Sequence, residues 1–147
     1  GEFQFNYPET FGIFYDFQAA SLLQGRLDVP EAAISGEAFI YAGKYYGYFG
    51  ITPALLRLPF VIFDLGFGHW SRTFMLADYV GCLVGSYLIL LAITAGVRGA
   101  GVRPSGFATA LLTVNVGLGS TFFFLGSRAY IYHEAILCGA AFALFAF

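Results

Sequence analysis

Four side chains of this mostly apolar sequence are candidates for acid–base chemistry. In chain order they are Glu9, Asp16, His133 and Glu134. The first two lie seven residues apart, so a helix through both would place the two carboxylates on one face. Paired carboxylates can accept a proton from a nucleophile, hold a divalent cation, or do both. We therefore take all four as candidate catalytic residues.

Each candidate also has a structural interpretation. Glu9 or Glu134 could cap a helix N-terminus, and Asp16 could face water. For the first-loop acids the pattern leaves both interpretations open. For His133 and Glu134 it favours function, because ionisable groups at the edge of a membrane span are costly unless they are used.

Three basic residues are candidates for binding a phosphate: Arg57, Lys44 and Arg128. Guanidinium and ammonium groups form charge-assisted hydrogen bonds with phosphate oxygens. Arg128 lies in the run Ser127 to Tyr132, just before His133 and Glu134. A cation, an imidazole and a carboxylate are thus expected at one membrane boundary.

Composition indicates that a lipid bilayer surrounds most of the chain. Hydrophobic residues make up 59% of the sequence, charged residues make up 11%, and the mean hydropathy is +0.73. Soluble domains are roughly a quarter charged. A net charge of −2 without a basic cluster argues against a nucleic-acid partner. We predict an all-α transmembrane helical bundle.

Apolar runs divide the chain into two parts. Residues 1–70 are expected to form an extracytoplasmic loop, and residues 71–147 are expected to form transmembrane helices at about 73–97, 106–125 and 134–147. Because the last run is too short to cross a bilayer, we expect the chain to be part of a larger protein. The turn that contains Arg98 and Arg103 is predicted to be cytoplasmic, since basic loops favour that side.

The loop is expected to carry helices that lie on the membrane. Apolar residues at mixed three- and four-residue spacing predict an amphipathic surface helix over residues 9–24, ended by Gly25. Residues 37–48 predict a short hairpin around Ala42-Gly43.

Residues 51–65 predict an interfacial or re-entrant helix. This run is apolar but short, it carries Arg57, and Pro53 and Pro59 interrupt it. An interfacial helix keeps the chain on the outer side until Trp70, a residue type enriched at membrane boundaries. The acidic loop and the turn before Glu134 then share the outer face.

Short motifs in the loop resemble the first periplasmic loop of the type C multispan glycosyltransferases. They are Pro8-Glu9-Thr10, Tyr15-Asp16, Ala20, Leu22-Leu23, Gly25 and Pro30. The run from Tyr48 to Pro59 further resembles uncharacterised bacterial multispan proteins of that type. Where many members have an Asp-Glu pair, this chain has a single acid, so Glu9 and Asp16 compete for the catalytic role.

This resemblance implies an enzyme of the bacterial inner membrane that moves a sugar from a polyprenyl-phosphate donor to an extracytoplasmic acceptor. A first-loop carboxylate would be the base, and a second acid would fall on Glu134 with His133. Arg, Lys or a divalent cation, Mg²⁺ or Mn²⁺, would offset the charge of the leaving phosphate. Outer tyrosines would contact the sugar or lipid; the candidates are Tyr46, Tyr48, Tyr130 and Tyr132.

A different class of function fits the same composition. The chain could be a non-catalytic accessory subunit of a larger membrane complex, because an aromatic outer loop suits a protein interface as well as a sugar. Other membrane subunits would then be its partners. A transporter is a weaker alternative, since only Asn115 and nearby glycines interrupt the apolar character of a predicted span.

Overall fold

The computed structural model describes residue 5 and residues 11–99 and 105–146. Within these ranges the chain is mostly helical, with one small hairpin. The helices are α1 (Phe14–Leu23), α2 (Glu31–Ile34), α3 (Thr52–Ile62), α4 (Ser71–Gly99), α5 (Gly106–Gly119), α6 (Thr121–Gly126) and α7 (Ile131–Phe145). The strands are β1 (Phe39–Tyr41) and β2 (Lys44–Tyr46), and a 3-10 turn spans Ser35–Glu37.

Helix α4 contains the described segment that has the length and composition of a membrane span. This segment is Ser71–Gly96, 26 residues long, and most of it is not buried inside the protein. The helices α3, α5 and α7 are apolar but shorter. The prediction of a mainly helical protein with a long apolar helix is thus confirmed.

Helix α1 differs from the amphipathic helix predicted over residues 9–24. It begins at Phe14, and its polar residues Asp16, Gln18 and Ser21 are buried together with Phe14 and Tyr15. The amphipathic interpretation is therefore wrong, because neighbouring elements cover the polar side of the helix as well as the apolar side. Its predicted end is confirmed: Gly25 adopts a φ of +68° and donates its backbone N–H to the Leu22 carbonyl at 3.0 Å.

The predicted hairpin is confirmed. Strands β1 and β2 pair antiparallel, with Phe39 opposite Tyr46 and Tyr41 opposite Lys44. The turn residues Ala42 and Gly43 both have positive φ, 50° and 74°. Two consecutive positive φ angles are the geometry of the two-residue turn that suits the twist of a hairpin.

Helix α3 confirms a helix within residues 51–65. Pro53 lies in its first turn, where a missing N–H costs nothing, while Pro59 lies inside the helix. The buried residues of this helix are Pro53, Ala54 and Arg57. Arg57, the charged residue of α3, therefore points inward.

The continuous helix predicted over residues 106–125 is not observed. Ser120 separates α5 from α6 with an extended backbone, φ −102° and ψ 171°. Its hydroxyl accepts a hydrogen bond from the Phe122 N–H at 3.2 Å and so caps the start of α6. Because residues 106–125 are mostly apolar throughout, the sequence gives no sign of this break in the helix.

Close packing of α4 against α7 organises the apolar part. A Cβ placed on Gly81 would lie 3.3 Å from the Ala141 Cβ, and one on Gly85 would lie 2.7 Å from the Leu144 Cβ. These glycines allow the two helices to approach closely.

Helix α7 begins at Ile131 rather than at Glu134, the start that the sequence predicts, so Glu134 lies inside the first turn of the helix.

Candidate functional site

Three residues proposed from the sequence meet in one buried group, which we call the Arg57 cluster: Asp16, Arg57 and Glu134. Helices α1, α3 and α7 contribute one residue each. The side chains of Asp16, Arg57 and Glu134 are 1%, 0% and 2% exposed. The Arg57 Nε lies 3.3 Å from Asp16 Oδ2, and Arg57 Nη1 donates to Glu134 Oε1.

Helix α4 joins the Arg57 cluster through its first residue. Arg57 Nη2 donates to the Ser71 hydroxyl at 2.9 Å, and that hydroxyl donates to the Gly12 carbonyl. Ser71 thus links α4 both to α3 and to the chain just before α1. One guanidinium thereby ties four helices together.

Aromatic rings flank the guanidinium. The Arg57 Cζ lies 5.4 Å from the ring centre of Tyr15 and 4.8 Å from that of Phe74. Such contacts stabilise a cation that has lost its water. The Tyr15 hydroxyl also donates to the Ile131 carbonyl at 3.0 Å, which holds the start of α7 against α1.

The Arg57 cluster has more negative than positive groups. Two carboxylates share one guanidinium, so full ionisation leaves a buried negative charge. Burial raises the pKa of Asp16 above its ordinary value of 3.8, although the Arg57 charge opposes the shift. Burial likewise raises the pKa of Tyr15. Neither Asp16 Oδ2 nor Arg57 Nε has a well-aligned hydrogen bond among the described residues, so both keep hydrogen-bonding capacity.

A cleft of about 390 Å³ lies between the first turns of α4 and the segment that joins α6 to α7. Arg72 and Arg128 line it, and we call it the arginine cleft. Arg72 Nη1 donates to the Phe5 carbonyl at 3.2 Å. The other side chains that line the cleft are mainly apolar, and they include Met75, Leu76, Tyr79 and Phe123. Among the predicted phosphate ligands, Arg128 is the one that the structure places in a cleft.

His133 is held among rings on the same segment. It is 5% exposed, and its Nδ1 lies 3.2 Å from the Arg128 carbonyl oxygen. Its ring centre is 5.6 Å from that of Tyr130 and 4.8 Å from that of Tyr132, and these two tyrosines stack on each other at 5.9 Å. The arrangement fixes the imidazole beside the backbone of Arg128.

Other predicted site residues lie away from the Arg57 cluster. Lys44 is exposed, and its Nζ lies 3.4 Å from Asp28. Tyr48 is exposed and donates to Glu37 at 3.1 Å, while Tyr46 is half-buried in β2. Glu9 lies outside the described residues, so its place relative to Asp16 stays a prediction.

Several contacts of the site were not predicted from the sequence. Ser71 and Phe74 contact Arg57 from α4, and Arg72 lines the cleft. Only Arg72 carried a signal, as a basic residue at the start of a predicted span. In the described ranges, no group of three His, Cys, Asp or Glu side chains is arranged to hold a metal ion.

Comparison of the chain with family models, with curated proteins and with solved structures gave no match.

Proposed function

We propose that this chain is part of a membrane glycosyltransferase that moves a sugar from a polyprenyl-phosphate donor to an extracytoplasmic acceptor. The gathering of Asp16, Arg57 and Glu134 at the start of α4 and α7 supports the proposal most directly. Glu134 stands 77 positions after Arg57, yet the two side chains share a hydrogen bond. Asp16, one of the two first-loop acids that compete for the catalytic role, thus lies with Glu134 in one buried group.

The multispan architecture is part of this proposal. Helix α4 supplies a span, and α5, α6 and α7 would complete the bundle beside it. The N-terminal ends of α4 and α7 would face outward, because Arg98, near the C-terminal end of α4, and Arg103, which follows α4 in the sequence, would be cytoplasmic. The Arg57 cluster would then lie at the outer surface of a bacterial inner membrane.

Glu9 is our proposed base. Asp16 is 1% exposed and contacts Arg57, so an acceptor does not reach it in this conformation. A base must come within hydrogen-bonding distance of the proton that it removes. We assign to Asp16, Arg57 and Glu134 the task of holding α1, α3 and α7 around the reacting groups.

The reaction would proceed by displacement at the anomeric carbon. The carboxylate of Glu9 takes the proton of the acceptor hydroxyl, and the acceptor oxygen forms a bond to the anomeric carbon. The bond from that carbon to the phosphate oxygen breaks, and polyprenyl phosphate leaves with the electron pair. A guanidinium near the leaving oxygen stabilises its charge. The described residues offer no built metal site, so no step is assigned to Mg²⁺ or Mn²⁺.

Donor consumption by the full-length protein tests the proposal. Membranes containing the protein are incubated with a panel of polyprenyl-phosphate sugars, and release of polyprenyl phosphate is measured. Glu9→Gln should abolish release while the protein remains folded in the membrane. Glu31→Gln is the matched control, because Glu31 is an exposed acid of the same loop.

Other outcomes are equally informative. If Asp16→Asn abolishes release while the protein stays folded in the membrane, and Glu9→Gln does not abolish it, the base is Asp16. If no donor in the panel is consumed by the wild-type protein, the proposal fails.

An accessory subunit is the second candidate, and the hairpin favours it. Phe39, Ile40 and Tyr41 of β1 are 61%, 60% and 67% exposed, which leaves an apolar strand uncovered. Exposed apolar patches commonly mark interaction sites. In that case Phe39→Ser with Tyr41→Ser should release a partner subunit from the purified complex, and donor consumption should be absent from the wild-type protein.

A further inference from the structure

The arginine cleft combines charge at one end with an apolar wall. Arg72 and Tyr79 both line it, and they are seven residues apart on α4. A helix rises 1.5 Å per residue, so the wall runs for about 10 Å along α4. Arg72 is the second residue of α4, at the end that would meet the lipid head groups.

One side of the cleft is closed and the other is open. Met75 is 2% exposed and forms part of the floor, whereas Leu76 and Phe123 are 50% and 55% exposed. The Tyr79 hydroxyl donates to the Gly117 carbonyl at 2.9 Å, which fixes the ring in the wall. A ligand would therefore enter from the side, as a lipid does from a bilayer.

We propose that the arginine cleft binds the phosphate head of a membrane lipid, with the first part of the lipid chain lying along Tyr79 and Phe123. Guanidinium groups donate paired hydrogen bonds to phosphate oxygens. Arg72 donates to the Phe5 carbonyl, and Arg128, which lines the same cleft, carries five N–H donors that suit a phosphate. The cleft volume of about 390 Å³ is within the range of small-molecule sites.

Two classes of lipid carry this chemistry. A polyprenyl phosphate has the phosphate at the end of an isoprenoid chain, and an anionic glycerophospholipid has it between a diacylglycerol and a polar head group. The isoprenoid identity rests on the proposed function. Binding of a phosphate-headed lipid does not, because it can be measured without turnover.

Equilibrium binding to the purified full-length protein in a neutral detergent tests the inference. The probes are a labelled polyprenyl phosphate, a phosphatidylglycerol, a phosphatidylcholine and inorganic phosphate. The variants are Arg72→Gln and Arg128→Gln, and the matched control is Arg26→Gln. Arg26 is also a partly exposed arginine of the outer part, but it pairs with Asp28 at 3.1 Å and does not line the cleft.

We expect at least one anionic lipid to bind, and each cleft variant to weaken its binding about tenfold, as loss of a charge-assisted hydrogen bond would. Arg26→Gln should leave binding within about twofold of wild type. Phe123→Ser should weaken binding of the lipid and leave binding of inorganic phosphate unchanged. Preference for polyprenyl phosphate identifies a donor site, and equal binding of phosphatidylglycerol identifies a general lipid-phosphate site.

Three results would overturn the inference: neither anionic lipid binds, the Arg72 and Arg128 variants bind the lipids as wild type does, or inorganic phosphate binds as tightly as the lipids. Donor consumption measured on the same samples separates this inference from the proposed function. Arginine-dependent lipid binding without consumption contradicts the transferase alone. Donor consumption by a wild-type protein whose lipid binding is unaffected by both arginine substitutions contradicts the lipid site alone.

Discussion

Arg57 on α3 donates a hydrogen bond to the buried carboxylate of Glu134 on α7, and both side chains are almost fully removed from solvent. The contact joins the loop before α4 to the last described helix. A buried charge without its partner is very unfavourable. The packing of α3 therefore depends on α7, and the packing of α7 depends on α3.

Arg57→Met should destabilise the protein strongly. The substitution keeps much of the side-chain volume but leaves Asp16 and Glu134 buried without a cation, which costs about 3–5 kcal/mol. Thermal unfolding of the full-length protein in detergent measures the effect. Arg26→Met is the control, since an exposed pair contributes about 1 kcal/mol or less. Equal losses for the two variants would show that the Arg57 cluster is not a stabilising contact.

Asp16 should make stability depend on pH. Burial raises the pKa of Asp16 in the folded protein above 3.8, so the folded state holds the proton more tightly than the unfolded state does. The resulting stabilisation is complete below pH 3.8 and is lost as pH rises through the raised pKa. The Arg57 charge opposes this shift most strongly, and the Gly68 backbone N–H and His69 also favour the charged form of the Asp16 carboxyl.

The direction of this pH dependence is checked by the melting temperatures of wild type and Asp16→Asn between about pH 4 and 8. The range begins near the ordinary pKa of a carboxyl group. The wild type should lose stability relative to Asp16→Asn as pH rises. The exposed Asp64, changed to Asn, controls for general loss of a surface charge. A difference that stays constant, or that changes in the opposite direction, contradicts the assignment.

Gly85→Ala should separate α4 from α7. The new Cβ would come within 2.7 Å of the Leu144 Cβ, and overpacking of this kind costs about 1–3 kcal/mol. Gly96→Ala is the matched control on α4, because nothing lies within 4 Å of its Cβ position. Alanine is the better helix former, so the control should be neutral or stabilising. Thermal unfolding distinguishes the two, and similar behaviour of both variants would mean that α7 does not pack here.

The outward face of α3 should contact lipid. Leu55 and Ile62 of α3 are 44% and 57% exposed, and Phe63, just after the helix, is 70% exposed, while Arg57 on the opposite face is buried. A helix that buries its charge and exposes its apolar side suits a bilayer surface rather than water. Nitroxide labels at Leu55→Cys and Ile62→Cys should be more accessible to oxygen than to a nickel chelate. A label at Glu31→Cys should show the reverse, and water-like accessibility at Ile62→Cys would contradict the prediction.

Local signals in the sequence predicted the local structure well. Ala42-Gly43 predicted the hairpin turn, and Gly25 predicted the end of α1, because both positions require backbone angles that few residue types adopt readily. The apolar run after Ser71 predicted α4 by length alone.

The same local signals did not predict the contacts between residues that are distant in the sequence. The sequence left open whether Asp16 faces water or does chemistry, because its partner Arg57 lies on another helix. Arg57 was assigned to phosphate for the same reason, and the structure shows it enclosed by Asp16, Glu134 and Ser71. A pattern within one helix does not reveal which charge on another helix will cover it.

The pairing of Arg57 with Glu134 also sets an order of assembly during synthesis. A ribosome adds Arg57 to the chain 77 residues before Glu134, so the guanidinium first exists without that partner. Before α7 is made, Arg57 can already pair with Asp16, which precedes it in the chain, but its Nη1 group lacks the Glu134 acceptor and favours water over the protein interior. The segment before α4 therefore reaches its final packing only after the start of α7 has been synthesised and has packed against α3.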